Sequence, residues 1–167
     1  MMLNKKNNII LIIIFFVISF SIISALIIEY VLNHKPCSLC LYERIPYFLS
    51  ALLIIKIFFF KKYEKITLLI LFIIFTISTL LAFYHFGIEQ GFFNESFVCN
   101  VENQLTILSK ENLLKELNKN IVSCKDVTFR ILGLSLAAIN TILSVVLSII
   151  FLKLFFNYGS SSTSQYK

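Results

Sequence analysis

The sequence predicts an all-α membrane protein, a bundle of four spanning helices. Three observations lead there. Hydrophobic residues make up 58% of the 167 residues, and mean hydropathy is +0.87. Only 14% of residues are charged, where a soluble domain carries about a quarter. The apolar residues also fall in four long runs rather than at scattered positions. A soluble fold could not cover so much apolar surface. The composition therefore argues against soluble globular, disordered and nucleic-acid-binding classes. The net charge of +6 does not point to DNA, because the lysines sit mainly at the ends of the apolar runs.

The first run, Ile9 to Ile28, carries no charge and matches the roughly 20 residues a helix needs to cross a bilayer. Lys5 and Lys6 precede it, as they would a signal peptide, but no small-residue cleavage pattern follows Ile28. A retained helix is expected. The second helix is expected over about 41–60, interrupted by Lys56, whose side chain can snorkel to the interface. The third is expected over about 66–86 and the fourth over about 131–156. These make a single membrane domain, 1–156, and the Ser-rich tail 157–167 is expected to be disordered.

Four spans place both termini on one side. Lys5, Lys6 and the cluster Lys61, Lys62 and Lys65 lie close to helix ends, and the positive-inside rule puts those segments in the cytoplasm. Two connections then face outward, a short one near 29–44 and a long one near 87–128. In the long one Leu113, Leu114, Leu117 and Ile121 recur at helical spacing, and Glu111 precedes Lys115 by four. A short amphipathic helix is expected there, lying on the membrane surface or capping the bundle.

All four cysteines fall in the outward connections. Cys37 and Cys40 form a C-x-x-C in the short one; Cys99 and Cys124 lie in the long one. Two spans separate the pairs, so both belong to the same face in either orientation. Free cysteine is at home in apolar helices, so its absence from the spans suggests placement by chemistry. A C-x-x-C favours redox exchange over stapling. A helix starting near Cys40 would favour thiolate there, and Arg44, one turn later, would add its charge. Pro36 keeps the turn non-helical, and Pro46 would free the Tyr42 carbonyl by kinking the helix. Other uses stay open. The C-x-x-C could bind zinc with His34 or with Cys99 and Cys124, or the four cysteines could form two inert disulfides. Arg44 could anchor the headgroup interface.

The stretch Lys35-Pro36-Cys37-Ser38-Leu39-Cys40-Leu41-Tyr42-Glu43-Arg44 resembles the signature of the disulfide bond formation protein B family, DsbB. Tyr84 to Gly91 is similar to the end of that family's third helix. Cys124-Lys125-Asp126 with Gly133 to Ala137 and Asn140 is similar to the entry into its fourth. The resemblance covers about 9–156. It departs at Phe129 and Ile139, where many relatives carry Trp, and this chain has none.

The resemblance implies a bacterial inner-membrane thiol:quinone oxidoreductase with its cysteine loops in the periplasm. Its partners would be a DsbA-like thiol oxidase, the membrane quinone pool (ubiquinone or menaquinone) and the lipid bilayer, with no nucleic acid. The implied redox residues are Cys37, Cys40, Cys99 and Cys124. The implied quinone contacts are Arg44 and His85, the latter also readable as a hydrogen-bonded structural histidine. The partner would enter at Cys99, Cys124 would attack Cys37, and Cys40 would be left as thiolate against the quinone. A partner poised near about −120 mV needs an acceptor of still higher potential, which a quinone supplies. A vitamin K epoxide reductase-like enzyme also combines four helices with a C-x-x-C, but in the reverse order along the chain. A non-enzymatic Cys/His metal-binding protein is the remaining alternative.

Overall fold

A computed structural model describes residues 5–60, 63–94, 99, 124–125, 130–131 and 133–163. Among them, four helices are long and apolar enough to cross a membrane. Helix α1 spans Lys5–Tyr30, α2 Ser38–Phe59, α3 Glu64–Glu89 and α4 Leu136–Thr163. Two short strands, β1 at Arg130–Ile131 and β2 at Leu134–Ser135, pair antiparallel just before α4. The expected fold class therefore holds. The amphipathic helix expected around Leu113 to Ile121 lies outside the described residues.

The helix ends differ from the sequence expectation for local reasons. The fourth helix starts at Leu136, not 131, because Arg130–Ile131 and Leu134–Ser135 pair as a small hairpin. Gly133 takes the left-handed conformation (φ 85°) that this turn requires, and the Ser135 hydroxyl caps α4 by accepting the Ala138 N–H at 3.2 Å. At its other end α4 continues to Thr163, into the stretch expected to be disordered. A helix already formed across a bilayer propagates at little cost, since nucleation is the expensive step. Helix α1 ends where Asn33 turns left-handed (φ 59°), with the His34 N–H reaching back to the Ile28 carbonyl. Helix α3 ends similarly at Gly91 (φ 77°), and Phe92 N–H returns to the Gly87 carbonyl at 2.8 Å. A Cβ on Gly87 would collide with the Phe93 ring folded over it.

The core runs along the middle of the bundle. Leu11, Ile14 and Ile18 of α1 meet Ile54 and Ile57 of α2, Leu68, Leu71 and Phe75 of α3, and Leu147, Phe151 and Leu154 of α4. Each set recurs at three or four residues, the spacing that lines one helix face. Phe75 stacks on Phe151 at 5.5 Å between centroids, and Tyr47 meets Phe75 edge-on at 5.6 Å. The most extensive seam joins α3 to α4. Small hydroxyl residues line it, with Ser78 and Ser144 at 3.3 Å and Thr76 and Ser148 at 3.1 Å. Helices in lipid gain little from the hydrophobic effect against one another, so close approach and interhelical hydrogen bonds hold them.

The outer surface is apolar: Phe20 is 74% exposed, and Phe16, Leu52 and Leu80 are each 66%. Such a surface requires lipid around it. Helix α2 passes through Pro46 unbroken, and the Ser50 hydroxyl donates to the Pro46 carbonyl at 2.6 Å. The antiparallel path brings the end of α1, the start of α2, the end of α3 and the start of α4 to one end of the bundle. All four cysteines lie at that end.

Candidate redox site at one end of the bundle

Cys37 is the last residue before α2. Its backbone is extended (φ −72°, ψ 169°), and its Sγ accepts the Cys40 N–H at 3.3 Å. It thus occupies the N-cap position, where a side-chain acceptor satisfies a free helical donor. Both residues are free thiols, with Sγ atoms 2.7 Å apart. The helix-end stabilisation expected at Cys40 therefore falls on Cys37. The hydrogen bond from the Cys40 thiol, with further help from His85, lowers the Cys37 thiol to about 5 against the opposing effect of burial. The pair's shared hydrogen bond thus favours the thiolate form of Cys37.

Cys99 and Cys124 form a disulfide, with Cα atoms 5.4 Å apart. Both are buried, in one cluster with Cys37, Leu39 and Ile88, and Cys40 packs against it. Two cysteine pairs far apart in sequence thus share one apolar cluster. Of the readings left open, two inert disulfides do not describe this arrangement, since one pair is a dithiol. Zinc held by Cys99 and Cys124 does not either, because sulfurs bonded to each other are not thiolate ligands. Cys37, Cys40 and His85 offer three donor atoms within 4.8 Å of one another. The two Sγ atoms, 2.7 Å apart, are in hydrogen-bond contact with each other.

A cavity of about 450 Å³ opens beside the dithiol. Its walls are apolar, with Phe20 and Ile28 from α1 and Ile139 and Leu143 from α4, while Cys37, Cys40, Arg44 and His85 supply its polar end. The Arg44 guanidinium donates to the Glu29 carboxylate of α1. His85 is almost fully buried, at 2%. Its Nδ1 is 2.8 Å from Glu43 Oε1 and its Nε2 is 3.5 Å from Cys37 Sγ.

Sequence reasoning missed Glu29, Glu43 and the contacts of Tyr47 and Asn140. Asn140 Nδ2 donates to Glu43 Oε2 at 2.7 Å, and the Tyr47 hydroxyl donates to Asn140 Oδ1 at 2.5 Å. The available signal was Glu43 itself. A carboxylate inside a spanning helix is costly and marks a functional position by default, and Glu43 lies three residues after Cys40.

Fold and site together define a multi-pass membrane oxidoreductase of disulfide chemistry. The family model for disulfide bond formation protein DsbB matches residues 7–154, and the chain belongs to that family. An uncharacterized protein of Rickettsia prowazekii (strain Madrid E) is 30% identical over 141 residues, covering 83% of this chain and 81% of the relative. No solved structure matches.

Proposed function

We propose that the protein reoxidises a DsbA-like periplasmic thiol oxidase and passes the electrons to quinone in the bacterial inner membrane. On this reading both termini are cytoplasmic and the cysteine loops periplasmic. The observation that carries it is the sharing of one buried cluster by a dithiol and a disulfide, at the edge of an apolar cavity. Thiol–disulfide exchange between the pairs needs that proximity. Cys99 and Cys124 are bonded while Cys37 and Cys40 are free, so on this reading the C-x-x-C holds the electron pair before it leaves.

The cavity fits a quinone. Apolar walls suit a lipid-soluble tail, its volume falls within the roughly 300–1,000 Å³ of small-molecule sites, and the polar end holds a cation. A bound quinone supplies a two-electron, two-proton acceptor. The residues of the chain do the rest. The partner's thiolate attacks Cys99, releasing Cys124 as thiolate, and the partner's second thiol then completes its own disulfide. With Cys37–Cys40 closed, the Cys124 thiolate attacks Cys37, beside which it packs, releasing Cys40; Cys99 then attacks Cys124, releasing Cys37 and re-forming Cys99–Cys124 as the electron pair moves inward. Cys40 faces the cavity with Arg44 one turn away. As Cys37–Cys40 closes, the dithiol gives up two electrons and two protons. Arg44, which cannot lose its charge, stabilises negative charge developing in the cavity, and Phe20, Ile28 and Leu143 exclude water.

Replacing Cys124 with Ser leaves Cys99 no resolving thiol. The lone Cys99 thiolate attacks the disulfide of the oxidised partner, releasing the partner's second thiol, and the resulting Cys99–partner mixed disulfide is expected on a non-reducing gel. No such band, or one formed through Cys37, would overturn the order of electron flow.

A further inference from the structure

The buried carboxylate of Glu43 has no part in the exchange chemistry above, yet four helical side chains are arranged around it. Its Oε1 faces His85 Nδ1 at 2.8 Å, and its Oε2 accepts from Asn140 Nδ2 at 2.7 Å. Asn140 is held in turn by the Tyr47 hydroxyl, which also lies 3.2 Å from Ser144 Oγ. Both carboxylate oxygens are thus occupied by side chains of α3 and α4, and the ring of His85 is fixed by its Nδ1. The other ring nitrogen, Nε2, is thereby presented to Cys37 Sγ at 3.5 Å. Burying a carboxylate without a partner costs several kcal/mol, and a plain packing role would be filled more cheaply by an apolar residue.

We infer that Glu43 is a positioning residue for a Cys37–His85 proton pair, holding His85 in the Nδ1–H tautomer so that Nε2 takes the Cys37 proton. The inference rests on the thiol:quinone reading and deepens it. The step is a proton transfer alone. The Cys37 S–H bond breaks, an Nε2–H bond forms, and no electron moves. The Glu43 carboxylate orients and stabilises the imidazolium, as the orienting carboxylate of a nucleophile–histidine–carboxylate triad does. When Cys37–Cys40 closes and its electron pair leaves for the quinone, the imidazolium releases its proton. Glu89 is placed to receive it. Its Oε1 lies 3.9 Å from His85 Nε2, its side chain is 7% exposed and hydrogen-bonded to Ser135, and its Oε2 has no hydrogen-bond partner among the described residues.

The charged and titratable groups around the pair come from every neighbouring element. Helix α2 supplies Cys40, Glu43, Arg44 and Tyr47, and α3 supplies Glu89. Helix α1 supplies Glu29, on Arg44, and the connection before α2 supplies His34 and Lys35. Helix α4 adds the neutral Asn140. Of these, Glu43 and Cys37 are the groups hydrogen-bonded to His85.

The test is the pH profile of Cys37 alkylation in the full-length, reduced protein in detergent, with no quinone and no partner. A small neutral haloacetamide is used under single-hit conditions, and sites are resolved by peptide mass spectrometry. Only thiolate reacts. In the wild type the rate should hold from pH 8 to 6 and fall through about 5, the value to which Cys37 is lowered. Glu43→Gln should move the midpoint up by a unit or more, a loss of about tenfold or more in rate at low pH for each unit. Glu43→Asp should restore part of the shift. His85→Gln should shift it as well, and adding Glu43→Gln to His85→Gln should change nothing further. An unmoved midpoint in folded Glu43→Gln, or an additive double variant, would overturn the inference. If Glu43→Gln fails to fold, Asn140→Ala, which frees only one carboxylate oxygen, should raise the midpoint by a smaller step, and an unmoved midpoint there is equally contrary. Because no quinone is present, a normal relay in a protein that ignores quinone would sink the functional reading and leave this one standing.

Discussion

On the proposed function, Arg44 is the residue that distinguishes a quinone site from a plain thiol exchanger. Its guanidinium lines the cavity and is bound to Glu29, so its position is fixed before anything enters. Arg44→Gln keeps a hydrogen-bond donor and removes the charge. Charge-assisted bonds contribute roughly 1.5–3 kcal/mol, so quinone-dependent turnover should fall about tenfold to a hundredfold. Electron entry at Cys99–Cys124 should be nearly unchanged, because that step lies in another connection. Stopped-flow measurement of the two steps separates them; equal loss in both, or in neither, would remove Arg44 from the cavity chemistry. The cysteines and Arg44 were legible because their residue types and spacing carry chemistry on their own. Glu29 and Glu43 were not, since their meaning comes from partners on other helices, 15 residues away for Arg44 and Glu29 and 42 for Glu43 and His85. The helix-cap position was set one turn too late. Helix α2 begins at Ser38, not 41, so the cap falls on Cys37.

At the scale of elements, the seam between α3 and α4 depends on small side chains. Ser144 is fully buried and touches both Tyr47 and Ser78. Ser144→Leu forces the helices apart and unseats the Tyr47–Asn140 contact, an overpacking expected to cost about 1–3 kcal/mol. A lower thermal midpoint in detergent checks this, and Ser144→Ala should be much milder. The four spans were legible because a membrane demands long apolar runs. Their ends were not, being set by local caps such as Ser135, Asn33 and Gly91, which hydropathy does not register. The two-residue strands before α4 carry no periodicity that a sequence could display.

At the scale of the whole molecule, the antiparallel bundle brings both cysteine pairs to one end. After reduction, all four thiols should react with a membrane-impermeant reagent from the periplasmic side. Labelling of Cys37 and Cys40 only after the membrane is broken would reverse the proposed orientation. The central claim, that a disulfide made at this end is paid for by quinone, is tested most directly by stoichiometry. Purified protein is mixed with a reduced DsbA-like partner and a limiting amount of quinone, and partner disulfide and quinol are counted together. The account predicts one quinol formed for each partner disulfide, with turnover stopping when quinone is exhausted and absent in Cys40→Ser. Partner oxidation that continues unchanged without quinone, or quinone that stays oxidised while disulfides accumulate, would contradict it.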